Sequence, residues 1–76
     1  MKSTEAIRSL MKENQVGPTK LAQMIDVKSP RIITDRLAQP NLSIKIFKQM
    51  LEVFHYRIVI IPSDAELPEN GIEIDS

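Results

Sequence analysis

Gly17-Pro18-Thr19-Lys20-Leu21-Ala22-Gln23-Met24-Ile25-Asp26-Val27-Lys28-Ser29-Pro30-Arg31-Ile32-Ile33-Thr34-Asp35-Arg36-Leu37 is the stretch that decides the fold. It carries two helix-start signals. Gly17-Pro18 and Ser29-Pro30 each place a proline at a first helical position, where the missing N–H costs nothing, and Ser29 adds a capping hydroxyl. The first helix runs from Pro18 to about Ile25, with Leu21, Ala22 and Ile25 facing inward. Asp26-Val27-Lys28 makes a tight turn. The second helix runs from Pro30 to about Ala38 on an Ile33/Leu37 stripe and ends ahead of Pro40-Asn41.

Working outward, residues 4–14 read as a helix. Ile7, Leu10 and Met11 recur at helical spacing, Ser3 or Thr4 caps the start, and Asn14 and Gly17 mark the stop. Ser43 caps a further helix over 44–54, with Phe47, Met50, Leu51 and Phe54 on its apolar face. The period then changes. Tyr56-Arg57-Ile58-Val59-Ile60-Ile61 is β-branched and aromatic, is bounded by Pro62, and reads as a strand. Residues 63–70 are polar and read as a loop, and Gly71-Ile72-Glu73-Ile74-Asp75 alternates as a weak final strand. A lone strand needs a partner. Either the same strand of a second subunit or a hairpin with 71–75 supplies it. A homodimer through Tyr56, Ile58, Val59, Ile60 and Ile61 is the favoured reading. The expected fold is mostly α: a four-helix domain over 1–55, then a strand or hairpin with an acidic tail over 56–76.

The composition excludes several classes. Seventy-six residues make one small domain. The absence of Cys removes disulfides and thiolate zinc sites, and a single His, His55, builds neither a metal site nor a relay. No apolar run approaches the roughly 20 residues that span a bilayer. No catalytic pair or cofactor motif is visible, so an enzyme is not expected, and neither is a cofactor, a metal or a small-molecule ligand. The net charge of zero conceals an asymmetry. Ten basic and five acidic residues leave +5 up to Arg57, and five acids with no base leave −5 after it. A basic head of this kind suits a polyanionic partner. Met11, Met24 and Met50 read as core or interface filler, and His55 as a helix C-cap.

Two short helices joined by a tight turn form a helix-turn-helix, whose second helix enters the DNA major groove. The pattern Leu21-Ala22-x-x-x-Asp26-Val27-x-Ser29-x-x-x-Ile33-x-x-x-Leu37, continued by Leu42-Ser43-Ile44 and Met50 to Tyr56, resembles the lambda-repressor-like helix-turn-helix family, also called Cro-type or XRE-type. It looks like a small phage or mobile-element branch, and the likeness covers about residues 4–62. The chain departs from the family pattern at four places. Gly17-Pro18 replaces the usual Thr-Gln. Asp26 stands at the turn's usual glycine. Lys28 looks like an insertion. Pro30-Arg31 occupies the place of polar readers.

The resemblance implies a sequence-specific, double-stranded DNA-binding regulator, most simply a dimeric repressor on a palindromic operator in the bacterial cytoplasm, at the nucleoid. It implies base contacts from Pro30, Arg31, Ile32, Thr34 and Asp35. Arg31 is the best reader, because its fork matches guanine O6 and N7. Ile32 is equally well read as core. Asp35 is expected to pair with Arg31 four residues earlier. Phosphate contacts are implied from Thr19, Lys20, Lys28, Ser29, Arg36, Asn41, Ser43 and Lys45, with Ser43 equally a helix cap. The alternative is a protein-interaction module, such as an adaptor, antirepressor or inhibitor, that reuses the same fold. RNA reading is not favoured, because stacking aromatics are scarce.

Overall fold

The computed structural model describes residues 1–75, and Ser76, the end of the 56–76 segment, lies outside the described residues. Four helices follow one another: α1 (Ser3–Asn14), α2 (Pro18–Met24), α3 (Pro30–Leu37) and α4 (Ile44–Val53). The proline and serine signals of α2, α3 and α4 act where the sequence places them. Pro18 and Pro30 open α2 and α3, Ser29 Oγ accepts from the Arg31 N–H, and Ser43 Oγ accepts from the Ile46 N–H. One core forms between the helices. Ile7, Leu10, Leu21, Ile33 and Met50 are its most enclosed large side chains, and Ala6, Met11, Val16, Ala22, Ile25, Leu37, Phe47 and Leu51 complete it. Ala22 is small and buried on α2, the helix that packs most closely on α3. Val27 packs against the core from the turn. Met11 and Met50 are core filler, but Met24 is exposed. It points away because Leu21, Ala22 and Ile25 already use the inward face of α2.

Three helices end alike, and none uses glycine. Gln15, Asp26 and His55 each adopt the left-handed conformation, with φ of 56°, 59° and 63°. The N–H of the following residue reaches back to a carbonyl five residues earlier: Val16 to Met11, Val27 to Ala22, and Tyr56 to Leu51. This is the Schellman pattern, and it satisfies carbonyls that the helix end leaves open. The stop of α1 therefore falls on Gln15, not on Asn14 or Gly17, and Asn14 Nδ2 instead donates to Leu10 O. A side chain in the left-handed region costs about 1 kcal/mol that glycine does not incur. Gln15→Gly is expected to stabilise the exposed end of α1 by about 1 kcal/mol, raising Tm by about 4–8 °C in a thermal melt. An unchanged or lowered Tm would show that the Gln15 side chain offsets its strain.

The predicted cap of α1 is corrected. Lys2 is the N-cap, and Glu5 accepts from its backbone N–H. Ser3 and Thr4 lie inside the helix and are buried. They are recruited by the loop between α3 and α4, as described below.

The C-terminal strand is likewise not formed within the chain. Among the described residues there is no strand, and 56–61 makes no hairpin with 71–75. The reason lies in where the last residues go. Asp75 donates its N–H to Met1 O at 2.9 Å, and its carboxylate meets the N-terminal ammonium at 3.0 Å. Ile72 packs against the core, and Tyr56 OH donates to Asn70 O. The returning segment is thus held at the N-terminus and at Tyr56, and leaves 57–61 without backbone partners among the described residues. The intervening arm is exposed and walls an open groove with Leu42, Phe47 and Leu51 of the body, and the molecule measures 41 × 21 × 18 Å. Its radius of gyration is 12.6 Å, against about 11 Å for a compact chain of this length.

Candidate nucleic-acid interface

The helix α3 is clamped at its core face and at both ends. Ile33 is fully buried and Leu37 nearly so, and they fix the rotation of the helix. Ser29 caps the N-terminus. At the other end, Arg8 of α1 donates from Nη2 to Leu37 O at 2.6 Å, placing a cation on carbonyls that the helix dipole makes negative. The loop beyond is pinned from the same helix. Thr4 Oγ1 donates to Pro40 O at 2.7 Å, and Ser3 Oγ accepts from the Leu42 N–H at 2.8 Å. Gln49 of α4 donates to Ile25 O, which secures the end of α2 ahead of the turn.

These clamps decide which residues α3 presents. At 100° per residue, Arg31 and Asp35 lie opposite the Ile33/Leu37 stripe. Both are strongly exposed, at 87% and 71% of their side chains, and they face each other with Nε to Oδ2 at 3.9 Å. The expected (i, i+4) pair is therefore present, and it orients the guanidinium without hiding it. A pair this exposed adds little stability. Pro30 and Thr34 flank it on one side, both exposed, and Thr34 Oγ1 already donates to Pro30 O. Thr34 and Leu37 also line a shallow depression with Arg8, Met11 and Pro18. On the other flank Ile32 is half-buried and lies outside the core cluster, so neither of its two readings is removed.

The residues assigned to phosphates divide into three groups. Thr19 and Lys20 on the first turn of α2, Lys28 in the turn, Asn41 in the α3–α4 loop and Lys45 on the first turn of α4 are all exposed. Ser29 and Ser43 have hydroxyls committed to helix capping. Arg36 is half-buried, and its Nη1 is enclosed without a partner among the described residues. It is less available than its place on the helix suggests, because its flank turns toward the body.

Sequence reasoning missed Ser3, Thr4 and Arg8, which hold the end of α3 and the loop after it. Their partners lie 29 to 39 residues away, so no local pattern marks them. Of the proposed dimer residues, Tyr56 packs half-buried on the core, while Ile58, Val59, Ile60 and Ile61 are exposed. No group of three or more His, Cys, Asp or Glu residues that would hold a metal ion occurs among the described residues. None of the described helices is long and apolar enough to cross a membrane. In comparisons with protein-family models, with curated proteins and with solved structures, nothing matches the chain.

Proposed function

We propose that this chain is a sequence-specific, double-stranded DNA-binding regulator of the lambda-repressor-like, Cro/XRE type. In this reading α2 and α3 form the helix-turn-helix and α3 lies in the major groove. The observation that carries the reading is the presentation of α3. A short helix is anchored by Ile33 and Leu37, held at its end by Arg8, and turned so that a paired but exposed Arg31 stands outermost. A rigid mount with one accessible guanidinium is what reading a guanine edge demands. Thr19, Lys20, Lys28, Asn41 and Lys45 supply positioning contacts to the backbone. Two copies joined through residues 56–61 would place two such helices about 34 Å apart on a palindromic operator. Repression by occlusion is the simplest outcome, and the bacterial nucleoid is the place for it.

Duplex titration over a range of salt concentrations tests the electrostatic part. Binding is expected to weaken linearly on a log–log plot. Lys20→Ala is expected to weaken all duplexes alike and to lower the slope by about 1. A slope near zero would remove DNA and leave the protein-interaction reading, which the charge-neutral Arg31–Asp35 pair would then favour.

A further inference from the structure

We infer that the arm 56–62 is an unformed half of an intersubunit ladder: it pairs antiparallel with the same arm of a second copy, with the twofold axis at Val59. The occupant follows from the arm's chemistry. Ile58, Val59, Ile60 and Ile61 are 43%, 55%, 98% and 40% exposed. In a strand they fall on alternate faces, so both faces are apolar. None of the residues 57–61 takes part in a backbone–backbone hydrogen bond among the described residues. An exposed apolar edge of this kind calls for a matching strand. Charge selects the direction. The five acids after Arg57 trail from one end of the arm. An antiparallel pair sends the two acidic segments to opposite ends, whereas a parallel pair would lay like charges side by side.

Symmetry and hydrogen bonding select the register. Across a twofold axis an antiparallel ladder alternates hydrogen-bonded and non-hydrogen-bonded pairs, so the axis must pass through a residue paired with its own copy. The arm is bounded by the left-handed His55 on one side and, on the other, by a turn in which Ala65 N–H bonds to Pro62 O. The midpoint of 56–62 is Val59. This register sets Tyr56 opposite the partner's Pro62, in a non-hydrogen-bonded pair where neither N–H faces the partner. Both ends meet that condition. The Tyr56 N–H is already given to Leu51 O, Pro62 has no N–H, and the Pro62 carbonyl is already used by Ala65. The groups left open, on Arg57, Val59 and Ile61, are those the ladder needs: Val59 bonds its own copy, and Arg57 bonds the partner's Ile61.

This inference rests on the homodimer reading above, and it adds the direction and register of the pairing. The chain has no Cys, so single-cysteine variants report self-distances without interference. In the inferred register Val59 lies about 5.5 Å, Cα to Cα, from its copy, within disulfide reach. Residues one step away are about 8–9 Å from theirs, outside it. Under mild oxidation, Val59→Cys is expected to form covalent dimer roughly tenfold faster than Ile58→Cys or Ile60→Cys, with Arg57→Cys slower still. A maximum at another position would overturn the register. Equal rates at all positions would indicate parallel strands and overturn the direction. A monomeric mass for the unmodified chain, with no cross-linking anywhere, would overturn the pairing. Duplex binding measured on the same samples separates the two readings. Sequence-preferring binding by a monomer removes the arm pairing alone, and a dimer without preference for any DNA removes the DNA reading alone.

Discussion

Ile33→Ala is expected to leave the domain largely unfolded at room temperature. Ile33 is fully buried at the centre of the core and is the main anchor of α3. Removing three carbons there loses transfer energy and leaves a cavity, at a cost of about 2–5 kcal/mol. A domain of this size holds only about 3–5 kcal/mol in its core. Neighbouring Ile32 provides an internal control. It is half-buried and outside the core cluster, so Ile32→Ala is expected to cost less than about 1 kcal/mol. Urea unfolding followed by circular dichroism measures both. If the Ile32 variant proved the less stable, α3 would have to be rotated about its axis, and Arg31 would no longer stand outermost.

Arg31→Ala is expected to leave stability unchanged and to remove a large part of specific binding. The side chain is 87% exposed, and its partner is an exposed carboxylate, so folding loses almost nothing. A bidentate contact to guanine contributes about 1–3 kcal/mol of discrimination, or roughly 5- to 150-fold in affinity for the preferred site. Binding to unrelated duplex should change far less, by about one phosphate contact. Competition titrations with the preferred site and with scrambled DNA separate the two effects. Equal weakening on both would reduce Arg31 to a backbone contact. Arg31→Lys keeps the charge but loses the fork, so it is expected to behave like alanine at the preferred site.

The helices were legible because their signals are local. Pro18, Ser29-Pro30 and Ser43 mark starts within their own turn, and the spacing of Leu21, Ile33, Leu37 and Met50 marks the buried faces. The ends of helices were less legible. Gln15 and His55 occupy positions where glycine is the usual marker, and only the packing of Val16 and Tyr56 after them shows why the chain turns there. Ser3 and Thr4 misled for a related reason. A hydroxyl at a helix start reads as a cap, yet both are claimed by the distant 40–42 loop. The outward placement of Pro30, Arg31, Thr34 and Asp35 followed from the family resemblance, and the Arg31–Asp35 pair from its (i, i+4) spacing. The support from Arg8 was not legible, because it depends on how α1 lies against α3, and neither was the partial burial of Arg36. The strand expected at 56–61 from composition is not formed within the chain, because the last residues return to Met1 and present no edge to it.

Selection from a random pool of double-stranded DNA at modest salt tests the central claim most directly. The expected result is enrichment of a twofold-symmetric motif, with half-sites about one helical turn apart and a guanine in each half that Arg31→Ala ceases to select. A pool that remains random after repeated rounds, with protein that is folded throughout, would contradict it.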